Sequence, residues 1–160
     1  MRRLLLSVFL AAMLASIAQA HTSVVGVASV IDGDTIEIHG RRIRLFGVDA
    51  PESRQACVDA AGNAWLCGNR AAIALSDMIG RAIVHCEQRD RDRYRRIVAV
   101  CRKGREDLGR WMVGQGWAVA SRRYSTDYIR DEDAAHRAHR GIWAGRFDMP
   151  WDWRAGRRGR

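Results

Sequence analysis

Residues 24–48 read VVGVASVIDGDTIEIHGRRIRLFGV, and this stretch decides the fold. Val24 to Val30 is valine-rich and predicts a strand. Asp32-Gly33-Asp34 is a turn signal, and Thr35 to His39 alternates with period two, the mark of a second strand. Gly40 and Arg41 make another turn, and Arg42 to Val48 is a third strand. Short strands joined by tight turns make an antiparallel meander. Downstream, Asn69 to Ile79 carries an apolar stripe of Ala72, Leu75 and Ile79 at helical spacing, and Gly80 stops it. Arg81 to Glu87 and Ile97 to Arg102 predict two more strands around a charged connection, Arg89 to Arg96. Glu106 to Gly114 and Tyr128 to Arg140 predict two further helices. Three strands, a helix and two strands is the order of an OB-type barrel. The expected class is α+β: a five-stranded OB-fold β-barrel with about three helices packed outside it.

The chain has 160 residues and a net charge of +9. Residues 1–20 read as a signal peptide: a basic start at Arg2 and Arg3, an apolar run Leu4 to Ala18, and the small-x-small site Ala18-Gln19-Ala20. Cleavage after Ala20 predicts a secreted or periplasmic protein starting at His21. It would have no stable membrane association, because no second long apolar segment follows. Residues 21–145 are then one domain, expected to be a monomer, and residues 146–160 an aromatic and basic tail, expected to fray. Loss of Arg2 and Arg3 leaves +7, a charge that attracts polyanions, nucleic acid first among them. Four cysteines in an oxidising compartment predict two disulfides. Three connectivities are open, and proximity favours Cys57–Cys67 and Cys86–Cys101. Zinc is the rival reading, against which there is no Cys-x-x-Cys.

Polar residues gather at the strand ends. Asp34 closes the first turn, Asp49 and Glu52 follow the third strand, and Arg96 opens the fifth. Arg44 lies between Ile43 and Leu45, against the local pattern, although period two also permits an exposed arginine there. This set suits phosphodiester cleavage. Paired carboxylates hold a hard cation, a third takes a proton from water, and arginines neutralise charge growing on phosphorus. No G-x-S-x-G, H-E-x-x-H or P-loop competes.

VIDGDTIEI (30–38), RIRLFGVDAPE (42–52) and DRYRR (92–96), in that order, resemble the staphylococcal nuclease (thermonuclease) family, and the resemblance runs from about Val24 to Trp143. It implies an OB-fold nuclease that uses Ca²⁺, acts on DNA and RNA, and leaves 3′-phosphates. It assigns Asp34 and Asp49 as calcium carboxylates and Ala50 as the carbonyl donor, where the family often has threonine. It assigns Glu52 as general base, Arg44 and Arg96 as phosphate-binding arginines, Arg93 and Tyr94 as holders of a terminal phosphate, and Tyr124 as a base-packing tyrosine. Arg95 stands where the family usually has glycine; the turn there is expected to relax, or the arginine to add a phosphate contact. The competing class is a non-catalytic OB-fold module that binds nucleic acid or another polyanion, which has no need of Glu52 and both arginines.

His136 and His139 read as surface histidines, and Trp111 and Trp117 as core. Trp143, Trp151 and Trp153 are expected to pack back on the barrel, with base stacking as the alternative. Arg154, Arg157, Arg158 and Arg160 either grip phosphates or form a solvated tail.

Overall fold

The computed structural model describes residues 22–156. The signal-peptide reading of residues 1–20, and Arg157, Arg158 and Arg160, lie outside them. The elements in order are β1 Ser23–Val27, β2 Ser29–Asp32, β3 Thr35–Ile38, β4 Arg41–Leu45, β5 Val48–Asp49, β6 Cys57–Val58, β7 Ala64–Trp65, α1 Cys67–Ile79, β8 Ile83–Arg91, β9 Ile97–Lys103, β10 Glu106–Asp107, α2 Leu108–Gly114, β11 Val119–Ala120, α3 Ile129–Arg137, a 3₁₀ turn Gly141–Ala144 and α4 Pro150–Arg154.

The main sheet runs β1-β8-β9-β4-β3-β2, with β10 added against β9. All its pairings are antiparallel except β4 with β9. The fold is OB-like, but the expectation of a closed five-stranded barrel is corrected to a curled, open sheet of six to seven strands with four α-helices. The physical reason lies at Ala28. The expected strand Val24–Val30 is cut there, its first half pairing with β8 and its second with β3. The sheet therefore has β1 and β2 at opposite edges, with no ladder between them.

Alternation sets the core. In β4, Ile43 and Leu45 are buried while Arg44 between them points to the other face. With Ile36, Ile38, Val84, Ala99 and Cys101 they meet Ala71, Leu75 and Ile79 of α1, and Leu108, Met112 and Val113 of α2. Trp111 and Trp117 pack at the edge of this core. A smaller cluster of Cys57, Cys67, Val119 and Ile142 is covered by Trp65, Trp143, Phe147 and Met149. Trp143 thus packs back as expected, while Trp151 is exposed and the tail folds as α4.

Both favoured disulfides are formed. Cys57–Cys67 joins the β6–β7 ribbon to the start of α1, and Cys86–Cys101 links directly paired residues of β8 and β9. Among the described residues no helix is long and apolar enough to cross a membrane.

Candidate active site

The tight β2–β3 turn presents Asp34, which is 5% exposed. Its backbone N–H donates to Asp32 Oδ1 (3.0 Å), and its own carboxylate accepts from the Thr35 hydroxyl (2.9 Å) and the Ala50 N–H (3.2 Å). The neighbouring strand β4 sends Arg44 to the same place. Its Nη2 lies 2.9 Å from Asp34 Oδ2 and 2.9 Å from Asp49 Oδ1. Burial pushes the Asp34 carboxyl up to about 7, against the pull of Arg44 and with a further push from Asp32 and Asp49.

Asp49 is fixed by a two-residue ladder. β5 pairs with β11, Asp49 opposite Val119 and Val48 opposite Ala120. Behind β11, the buried Glu132 of α3 accepts from the Ala120 N–H (2.8 Å) and from Arg122 (2.6 Å). Glu52 follows the buried Pro51 and is half-exposed. Its loop is clamped by Gln55, which is fully buried. The Gln55 N–H donates to the Glu52 carbonyl (2.7 Å), its side-chain oxygen accepts from the Glu52 N–H (3.2 Å), and its amide donates to the Asp148 carbonyl (2.6 Å). Gly68 of α1 passes so close that a Cβ there would collide with the Glu52 carbonyl.

A residue read only as part of a basic tail completes this cluster. Arg154, at the end of α4, donates Nη1 and Nη2 to the two oxygens of Asp49 (3.0 and 2.7 Å) and Nη1 to Glu52 Oε1 (2.7 Å). The hydrogen bonds to Asp49, with a smaller contribution from the one to Glu52, outweigh burial and raise the arginine's pKa further. Asp34, Arg44, Asp49, Glu52 and Arg154 therefore form one continuous ionic network.

The calcium expectation is corrected by this arrangement. Among the described residues no group of three or more His, Cys, Asp or Glu side chains is placed to hold a metal ion. Asp34 and Asp49 face guanidinium groups instead, and Ala50 turns its N–H toward Asp34.

Arg93, Tyr94 and Arg96 sit on a second turn. Asp92 caps it, accepting from the N–H groups of Tyr94 and Arg96 (2.9 Å each) and from Arg96 Nε (2.6 Å). The guanidinium carbons of Arg93 and Arg96 lie 4.8 and 5.7 Å from the centre of the exposed Tyr94 ring. The turn is not relaxed by Arg95, which adopts φ +64°. Register places Arg96 just before Ile97, which pairs with Ile43 on β4, the strand of Arg44. Tyr124 is exposed on a turn whose Ser121 N–H donates to the Gly47 carbonyl (2.9 Å), beside the end of β4.

Gln55 had no signal in the sequence, since its role is a contact with Asp148 far along the chain. His136 lies edge-on to Trp143 at 4.8 Å, and His139 approaches the Trp143 carbonyl, in keeping with the reading as ordinary surface histidines.

Residues 42–145 match the family model described as "Staphylococcal nuclease homologue". The succinoglycan biosynthesis protein ExoI of Rhizobium meliloti (strain 1021) is 39% identical over 82% of this chain and 73% of that protein. The micrococcal nuclease of Shigella flexneri is 32% identical over 80% of this chain and 78% of its own length. An uncharacterized endonuclease of Haemophilus influenzae is 30% identical over 80% and 71% respectively.

Proposed function

The chain belongs to the staphylococcal nuclease family, and from that premise we propose that it is an exported nuclease that hydrolyses phosphodiester bonds of DNA and RNA to leave 3′-phosphate ends. The observation that carries the reading is the Arg44–Asp49–Arg154–Glu52 network, whose Glu52 carboxylate is half-exposed. A structural ion-pair network has no use for a solvent-facing base held by its own backbone clamp.

Glu52 is the general base. Arg154 occupies Glu52 Oε1, leaving the other oxygen to take a water proton. The hydroxide so formed attacks phosphorus, the P–O5′ bond breaks, and O5′ takes a proton from solvent. A 3′-phosphate and a 5′-hydroxyl result. Arg44 and Arg96 meet the charge that builds on the phosphoryl oxygens. Arg93 and Tyr94 bind a neighbouring phosphate, and Tyr124 packs on a base. Asp34 and Asp49 orient Arg44 in this scheme.

The two disulfides support export to an oxidising compartment, secreted or periplasmic, with the mature protein starting at His21 and acting as a monomer. N-terminal sequencing of the exported protein tests that start, and another first residue refutes it. Incubation with single-stranded DNA and RNA, followed by end analysis of the fragments, tests the activity. Fragments with 3′-phosphates are expected. Nucleic acid that is bound but left intact would make the protein a non-catalytic binding module.

A further inference from the structure

Helix α1 lacks the usual devices for starting a helix. Leu66 at its N-cap supplies no side-chain hydrogen bond, no acidic residue stands in the first turn, and Gly68 is the second helical residue. The Gly68 amide finds its acceptor outside the helix, donating to the Gln55 carbonyl (3.5 Å). Gln55 is the residue that holds the Glu52 backbone from both sides. The start of α1 and the Glu52 loop are thus one packed unit, joined by a long hydrogen bond and by the close approach of Gly68 to the Glu52 carbonyl.

A covalent bond holds the two parts of this unit together. Cys57, just beyond Gln55, is bonded to Cys67, the residue before Gly68. Cys67 Sγ lies 3.4 Å from the Gln55 carbonyl oxygen. Cys86–Cys101 differs: it joins residues that strand register already pairs, in a ladder that continues on both sides.

We propose that the Cys57–Cys67 disulfide is the positioning device of the Glu52 base, so that the protein gains nuclease activity only when this bond forms. The inference rests on the nuclease reading and adds to it how the activity is switched on. With the thiols free, the uncapped first turn of α1 loosens, the Gly68–Gln55 hydrogen bond opens and Glu52 loses its place. A displacement of about 1 Å at such a group lowers the rate roughly 100-fold. Bond formation takes two electrons and two protons from the cysteine thiols. They pass to a protein disulfide of the oxidising compartment, whose own S–S bond breaks to give two thiols. Thiols stay reduced in a cytosol. The chain is therefore inactive beside the nucleic acid of the cell that makes it and active once exported. Both sulfurs are buried, Cys57 at 1% and Cys67 at 0% exposure, which shields the finished bond from attack by other thiols. The device works once, on maturation, and is not a reversible toggle.

The test uses the mature chain with Cys86→Ser and Cys101→Ser, which leaves one disulfide. The protein is unfolded in urea with dithiothreitol and refolded with the reductant present, and alkylation with mass spectrometry confirms the free thiols. Cleavage of a fluorogenic oligonucleotide gives kcat and KM, and hydrogen exchange reads the amides of residues 52–57. The thiol form should keep a native far-UV circular dichroism spectrum and a KM within about threefold, with kcat lower by roughly 100-fold and faster exchange at the Gln55 amide. Reoxidation with glutathione disulfide should restore kcat and slow the exchange. Cys57→Ser with Cys67→Ser, in a chain that keeps Cys86–Cys101, should show the same low kcat. Cys86→Ser with Cys101→Ser, left oxidised, should keep the wild-type kcat despite a lower Tm. A thiol form with the oxidised kcat, a loss that reoxidation does not restore, or an equal kcat loss from either cysteine pair would overturn the proposal. So would unfolding of both the thiol form and the Cys57→Ser, Cys67→Ser chain, which would make the bond a requirement of the fold. Failure of the nuclease reading shows separately, as an oxidised protein that cuts nothing while exchange at residues 52–57 still follows the disulfide.

Discussion

Gly68 ties the fold to the chemistry, and Gly68→Ala is the perturbation that exposes the tie. A Cβ at this position would stand 2.9 Å from the Pro51 carbonyl oxygen and closer still to the Glu52 carbonyl. Ordinary contacts begin near 3.4 Å, so Pro51 alone must retreat by about 0.5 Å and Glu52 by more. Neither group is a flexible side-chain end. Pro51 is buried, and Gln55 holds the Glu52 backbone from both sides. Overpacking of this kind costs about 1–3 kcal/mol, or roughly 3–9 °C in Tm for a domain of this size. The functional loss is larger, since a displacement of about 1 Å at a catalytic group lowers the rate roughly 100-fold. Cleavage of a fluorogenic single-stranded oligonucleotide, alongside thermal unfolding, measures both. Gly114→Ala is the control: nothing lies within 4 Å of its added Cβ, so it should leave the rate unchanged and Tm equal or slightly higher. A Gly68→Ala variant with wild-type Tm and rate would refute the claim that helix α1 positions the Glu52 loop.

Arg95→Gly should stabilise by about 0.5–1 kcal/mol in denaturant unfolding, because the arginine holds φ +64° at a cost that glycine avoids; a destabilised variant would mean that the Arg95 side chain supplies a compensating contact. Cys86→Ser with Cys101→Ser should cost up to about 3 kcal/mol, the value for a loop of this length, and a mass spectrum showing free thiols in the native protein would remove the basis for that figure. Asp34 carries a pH signature. Its folded pKa of about 7 lies above the unfolded value, so the native state binds more protons between them. The stability it contributes is fully present below about pH 3.8 and is lost as pH rises through 7. Asp34→Asn removes this titration, so its stability relative to wild type should climb from pH 4 to pH 8, and a difference that is flat or falls with pH contradicts the assignment.

Local chemistry made much of this molecule legible in its sequence. The D-G-D turn, the alternation of β3 and β4, the stripe of α1 and both disulfide pairings involve residues close together in the chain. Arg44 stood out because a charge interrupted an apolar strand, and the structure places it between Asp34 and Asp49. What sequence periodicity missed is non-local or too short to show a period. The β5–β11 ladder has two residue pairs, and the β6–β7 ribbon two more. The open sheet follows from a single break at Ala28 within a uniformly valine-rich run. Arg154 reaches Glu52 across 102 positions, and Gln55 reaches Asp148 across 93. No window of sequence contains either pair. The calcium reading failed for the same reason: the two aspartates were legible, but not the arginine that binds Asp49 from the far end of the chain.

The role of Glu52 is tested most directly by turnover of single-stranded DNA by Glu52→Gln beside wild type, with product ends identified. Glutamine keeps the shape and an oxygen for Arg154 but accepts no proton from water. Wild type should yield 3′-phosphate fragments, and the variant a rate lower by roughly 100- to 10,000-fold with single-strand affinity retained. A variant that cuts at the wild-type rate would contradict the assignment of Glu52 as the base.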